Sequence, residues 1–330
     1  MEIAKALILA GRGHDDRPWP TAPSAPRHLF PIANRPILFH NLEALRAAGI
    51  LEASILADRD GAQAILQAVG DGRDFGMTVR YEEWRPALGL GAALAGARKF
   101  LGEEPVLVQQ GDALLRERMQ AHISAFARDQ LDALALRLSQ PLGCSTPAAT
   151  PGYLLSPRAV SILGAGPDVP AEPIDDVRAG GGRVRVQPVD GWLPCAGDLE
   201  SLLEGNRRML EGLVAAVDPS TLEDCTVQGP VEVHPTAQIK RTVLRGPVVI
   251  GAGARITDAY IGPYSSIGAG VAIEGAEIEH SIVLADAELR FVGTRLESSV
   301  IGRGARVRRG FQLPGAIRVS IGDGAEVVLR

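Results

Sequence analysis

The C-terminal third of this chain carries a six-residue apolar beat, and few folds can use one. Val227, Val233 and Ile239 stand six apart, as do Ile250 and Ile256, then Ile261, Ile267 and Ile273, and later Ile301 and Val307. Glycine follows isoleucine at positions 251, 262, 268, 302 and 322. A helix returns to its buried face about every 3.6 residues and a strand about every two. A step of six fits a left-handed parallel β-helix, in which each flat side is one short strand and each corner is a tight turn. An ordinary antiparallel run of short strands with glycine turns is the competing reading, but it has no reason to hold a fixed step. The stretch 317–329 reads as an irregular last turn that caps the coil.

The preceding part of the chain has a different rhythm. From residue 4 to about 138, short apolar runs at 6–10, 53–57, 78–81, 106–109 and 134–138 alternate with helical patterns at 38–48, 61–69, 91–101 and 116–129. Alternation with short connections predicts an α/β layer structure with a mostly parallel sheet covered on both faces. A less regular section, rich in Pro and Gly, runs from 139 to about 197, with strands expected at 153–155 and 183–186. Leu199, Leu202, Leu203, Met209, Leu210, Leu213 and Val214 then recur at helical spacing, which predicts one amphipathic connecting helix over 198–217. The expected division is an α/β domain over 1–218, connecting helix included, and a hexapeptide-repeat β-helix over 219–330.

Composition narrows the function classes. With 330 residues, 46% apolar and 22% charged, the chain has the makeup of a soluble globular protein with a sizeable core. A net charge of −5 gives no electrostatic reason to expect nucleic acid or a membrane as partner. The N-terminus lacks a signal-peptide pattern, and Cys144, Cys195 and Cys225 are too scattered for a disulfide framework or a zinc knuckle. The expected location is the cytoplasm.

The chemistry is concentrated near the start. The apolar strand Ala6-Leu7-Ile8-Leu9-Ala10 runs into Gly11-Arg12-Gly13, then Arg17-Pro18, then Arg27-His28-Leu29-Phe30-Pro31-Ile32-Ala33-Asn34-Arg35-Pro36. A buried strand feeding a glycine turn brings backbone N–H groups close to a ligand, and such donors suit phosphate. A second strand ends in Gln110-Gly111-Asp112, where open α/β sheets place their ligand crevice.

The longer string, with Leu45-Arg46-Ala47-Ala48-Gly49-Ile50, Ala87-Leu88-Gly89-Leu90-Gly91, Asp190-Gly191-Trp192 and Glu277-Ile278-Glu279-His280-Ser281-Ile282-Val283, resembles the sugar-1-phosphate nucleotidylyltransferases. The similarity is to the long form of glucose-1-phosphate thymidylyltransferase and extends over nearly the whole chain. It implies a Rossmann-like nucleotidyltransferase sheet followed by a left-handed β-helix. It also implies transfer of a nucleoside monophosphate from a dTTP-like nucleoside triphosphate to a sugar-1-phosphate, with release of pyrophosphate and Mg²⁺ as cofactor. Ala10, Gly11, Arg12, Gly13, Trp84, Gly89 and Gly111 would then bind nucleotide. Arg27, Asp112 and Arg17 would be catalytic, and Tyr153 and Glu172 would face the sugar. Asp112 would hold the metal, with Asp190 or Asp198 as second ligand.

Several positions depart from the family pattern. The loop reads Gly11-Arg12-Gly13-His14-Asp15-Asp16-Arg17, with one glycine and the Thr-Arg pair lost. Arg27 replaces a lysine, and a planar fork is not a compact ammonium. Trp84 replaces a base-reading Gln. Cys195 replaces the second metal-binding Asp, and a soft thiol is a poor Mg²⁺ ligand. The Glu-Lys-Pro sugar motif is missing. These changes imply an altered or weakened pyrophosphorylase. The competing reading is a catalytically silent nucleotide or sugar-nucleotide binding subunit that regulates or scaffolds an active homologue. A β-helix acyltransferase using His280 ranks behind both. The open end and flat faces of a short coil lead us to expect a homo-oligomer.

Overall fold

The computed structural model describes residues 3–11, 26–116, 118–139, 150–165, 173–190, 192–194 and 198–310. Its α/β part has strands β1 (Lys5–Ala10), β2 (Glu52–Ala57), β3 (Thr78–Glu83), β4 (Val106–Gln110), β5 (Ala113–Leu115), β6 (Ala133–Leu138), β7 (Gly152–Leu155), β8 (Val184–Val189) and β9 (Trp192–Pro194). The main sheet has seven strands in the order β8-β6-β7-β4-β1-β2-β3. Every pairing is parallel except those of β7, which runs antiparallel between β4 and β6. Because β1 lies between β2 and β4, the strand order reverses there and opens a crevice at the carboxyl ends of β1 and β4.

Two apolar layers cover this sheet. On one face lie α1 (Ile37–Ala47), α2 (Arg59–Val69) and, further along the chain, Met119–Arg128. Leu38, Leu42, Leu45, Ile65, Ile123 and Phe126 are buried there against Ile8, Ile55 and Leu107. On the other face, helices Gly89–Gly96, Arg98–Leu101, Pro157–Ala165 and Pro173–Ala179 bury Leu94, Phe100, Leu163 and Val177 against Leu7, Leu9, Leu56 and Val108. None of the described helices is long and apolar enough to cross a membrane.

The predicted strands are found, with ends moved by a residue or more. The helices differ in three places. The helix expected over 91–101 starts at Gly89 and breaks at Ala97, just after Gly96, a residue costly inside helices. Two short helices, Pro157–Ala165 and Pro173–Ala179, occupy the section read as irregular. Each starts on a proline, which favours a first helical turn as readily as it favours a loop. The connecting helix, Leu199–Leu210, is shorter than the predicted 198–217. Past Gly212 the chain becomes extended: Ala216 bridges Glu232 in parallel, and Val217 packs on the core of the coil.

From Leu222 the chain winds into a parallel β-helix of three stacked sheets, with six, five and five short strands. Ile239, Ile256, Ile273, Leu289 and Val307 form one ladder of partners, Leu244, Ile261, Ile278 and Leu296 another, and Ile250, Ile267, Val283 and Ile301 the third. The six-residue beat is thus the repeat of one side per strand, and its apolar residues meet along the axis. Corners are not only glycine: Arg241, Asp258, Tyr264, His280, Asp286 and Phe291 adopt positive φ. Arg241 and Asp258, on adjacent turns, close a two-pronged ion pair at 2.7 and 2.8 Å. The tail at 317–329 lies outside the described residues.

Coil and sheet share a core. Phe30, Ile32, Ile37 and Leu114 pack with Leu202 and Leu203 of the connecting helix and with Ile282 and Leu284 of the coil.

Candidate active site at the carboxyl ends of the first and fourth strands

The crevice is built from close backbone approaches. A Cβ on Gly11 would lie 2.3 Å from Pro86 Cγ and 3.2 Å from Trp84 Cε3, so glycine is required where β1 ends. A Cβ on Gly111 would lie 3.0 Å from His28 and 3.1 Å from both Ile8 and the Leu9 carbonyl oxygen. The Gly111 N–H donates to Leu9 O at 2.8 Å, which ties the end of β4 to β1. Asp112 follows at once, in the turn that leads into β5.

Asn41 holds that turn. It is fully buried on α1, where its Nδ2 donates to Gly111 O at 3.2 Å and its Oδ1 accepts from the Leu115 N–H at 3.2 Å. Sequence reasoning did not single it out, although a polar residue between Leu38, Leu42 and Leu45 on a helix was the available signal.

Arg27 enters from the short 3-10 turn Arg27–Leu29, and its Nη1 lies 3.4 Å from Asp112 Oδ2. The two side chains are 11% and 26% exposed, so the pair sits at a mouth, partly shielded from solvent. His28, beside it, is buried, and desolvation pushes its pKa down to about 4, against the opposing pull of Asp112. Neither ring nitrogen of His28 has a hydrogen-bond partner among the described residues. His28 was also missed as a site residue, because its burial depends on packing against Gly111.

Trp84 stands over Gly11, and its indole N–H donates to Gly89 O at 3.3 Å. The structure therefore brings Ala10, Gly11, Trp84, Gly89, Gly111, Asp112 and Arg27 to one region. Tyr153, on β7, pairs with Val108 and is half-buried on the same face of the sheet as Trp84. Arg12, Gly13, Arg17, Glu172 and Cys195 lie outside the described residues.

The two candidates for a second metal ligand, Asp198 and Asp190, have different surroundings. Asp198 caps the connecting helix, its Oδ1 accepting from the Ser201 N–H at 2.7 Å. Asp190 follows β8, a strand three positions from β4 and so roughly 14 Å from it at the usual spacing. Strand β9 pairs antiparallel with β5, and its Pro194 lies opposite Ala113, the residue after Asp112. Cys195 follows Pro194 in the chain. Among the described residues, no group of three His, Cys, Asp or Glu side chains converges anywhere. The donors present fit a Mg²⁺ held by one carboxylate, Asp112, with phosphate oxygens and water completing its shell. His280, the alternative base, sits at a coil corner with its Nδ1 3.3 Å from Ser298 Oγ.

Residues 5–141 match the family described as nucleotidyl transferase. Over 97% of the chain and 98% of the relative, the sequence is 33% identical to a glucose-1-phosphate thymidylyltransferase of Streptomyces griseus. It is 28% identical to a low-salt glycan biosynthesis nucleotidyltransferase of Haloferax volcanii, over 98% of the chain and all of that protein. A solved structure of UDP-glucose pyrophosphorylase with UDP-glucose superposes with a TM-score of 0.51 at 18% identity. It covers 64% of this chain and 99% of its own, and supports the fold alone.

Proposed function

The chain belongs to the nucleotidyl transferase family, among its sugar-1-phosphate members, and from that premise we propose that it transfers a nucleoside monophosphate from a triphosphate to a sugar-1-phosphate at the Arg27–Asp112 cleft, with weakened or altered activity. A phosphate oxygen of the sugar-1-phosphate attacks the α-phosphorus in line. The bond to the bridging oxygen of pyrophosphate breaks, and pyrophosphate leaves with the electron pair. Mg²⁺, when bound, supplies charge neutralisation at the phosphates.

The residues of the chain have separable tasks in this reading. Glycine at the end of β1 lets Pro86 and Trp84 close on the turn, whose backbone N–H groups would meet the triphosphate. Arg27 supplies a fixed cation and Asp112 a hard oxygen ligand, while Asn41 holds the turn that aims Asp112. Trp84 walls the base side. The observation that carries the proposal is the partly shielded pair of cation and carboxylate at 3.4 Å, set at the mouth of the strand-order reversal.

Weakened turnover follows from the second-ligand position. Asp198 is engaged in capping, Asp190 follows a strand three positions from β4, and a thiol at Cys195 is soft. Loss of one charge-stabilising group typically lowers the rate by about 10²–10³. The same observation favours a second reading, a silent nucleotide-binding homologue.

A pyrophosphate-release screen of four nucleoside triphosphates against several sugar-1-phosphates with Mg²⁺ separates the two. We expect slow, Mg²⁺-dependent release for at least one pair, lost in Asp112→Asn. Nucleotide binding with no release for any pair would favour the silent reading. Release that Asp112→Asn leaves unchanged would remove Asp112 from the site.

A further inference from the structure

Family pattern and structure together leave the base side of the cleft without its usual reader. Trp84 replaces the glutamine, and its one polar hydrogen is already donated to Gly89 O at 3.3 Å. The indole therefore offers a face for stacking and no free donor.

A free carboxamide stands on the same side of the sheet. Val106, Leu107, Val108 and Gln109 of β4 are buried, whereas Gln110 is exposed. Side chains alternate along a strand, so Gln110 shares a face with Val106 and Val108, which belong to the cluster against which Trp84, Leu90 and Tyr153 pack. Register places Gln110 beside Leu9, Leu9 beside Leu56, and Leu56 beside Glu82. The row across the sheet end thus reads amide, leucine, leucine, carboxylate. The Gln110 carboxamide makes no hydrogen bond to the described residues, while its backbone N–H is held by Pro151 O at 2.9 Å. Glu82 closes the row about 14 Å off, too far to share a contact with Gln110.

We infer that Gln110 reads the hydrogen-bonding edge of the nucleobase, with Trp84 as the stacking wall and Leu9 as the floor. A primary amide presents a donor and an acceptor side by side, which is what an edge bearing both a carbonyl and an N–H requires. The backbone bond to Pro151 fixes the strand end, so the amide searches only its own rotamers. The inference rests on the nucleotidyl transfer reading and assigns base choice within it.

Calorimetric titration of the whole protein with each of the four nucleoside triphosphates and Mg²⁺ tests it, with wild type, Gln110→Leu and Gln110→Glu compared. Gln110 is exposed, so both variants should melt as wild type does, and circular dichroism checks this. Wild type should prefer one base. Gln110→Leu should narrow that preference by about tenfold or more while the weaker triphosphates bind as before. Gln110→Glu, which lacks the donor, should change the ranking of the bases. A preference untouched in both variants, or wild-type binding indifferent to base, would overturn the assignment and leave the proposed function standing. Failure of every triphosphate to bind wild type would overturn both.

Discussion

His28 and Gln109 are buried near the strand-end turn with polar atoms that find no partner among the described residues, and such groups usually cost stability unless something else requires them. His28 also makes stability depend on pH. Its folded pKa of about 4 lies below the ordinary 6.5, so the unfolded chain takes up the proton first. The neutral ring is therefore fully tolerated above pH 6.5, and stability falls as pH drops from 6.5 towards 4. Urea unfolding at pH 7.5 and pH 5 should differ through this group by on the order of 2 kcal/mol. His28→Gln should shrink that difference, and an identical pH dependence in the variant would show that His28 is not responsible. At this scale Gly11, Arg27 and Asp112 were singled out because each sits in a short motif of its own, Gly11-Arg12-Gly13, Arg27-His28-Leu29 and Gln110-Gly111-Asp112. Asn41 was not, since its two partners lie about seventy residues away.

Among the elements, the connecting helix Leu199–Leu210 carries a clear test. Asp198 accepts the Ser201 N–H at 2.7 Å, and loss of such a cap costs about 1 kcal/mol. Asp198→Ala should lower stability by about that amount, and Asp198→Asn should preserve it, with pyrophosphate release the same in both. Loss of release in both variants would make Asp198 the second metal carboxylate after all. Helical spacing predicted the start of this helix but not its end. Leu213 and Val214 continue the apolar period, yet Gly212 intervenes and Ala216 finds a better partner in the first turn of the coil. Tertiary hydrogen bonding overrode a local pattern.

The whole molecule depends on a polar pin between its two parts. Asn206 Oδ1 accepts from the Ala33 N–H at 2.9 Å and from Ser266 Oγ at 2.6 Å, and its Nδ2 donates to Tyr264 O at 3.0 Å. Asn34 Nδ2 adds a bond to Ile267 O at 2.6 Å. Because the segment Arg27–Pro36 bears both this pin and Arg27, the coil helps to fix the mouth of the Arg27–Asp112 cleft. Asn206→Ala leaves buried partners unpaired and should cost on the order of 3 kcal/mol. Calorimetry should then resolve separate melting of sheet and coil; a single unshifted transition would show that the pin is dispensable. The coil also exposes Val227 and Val243 on neighbouring strands, with Phe291 at a corner. Light scattering is expected to return more than one chain per particle, and a clean monomer across concentrations would count against self-association.

The six-residue beat and the strand–helix alternation determined the two architectures by themselves, because each periodicity admits one economical way to bury its apolar side. The glycine turns and Asp112 were determined in the same way, by local chemistry next to a strand. Only the tertiary structure decided that His28 is buried under Gly111 and that Gln110 faces the same side as Trp84. Those facts depend on register and on contacts between segments far apart in the chain, which no local pattern encodes.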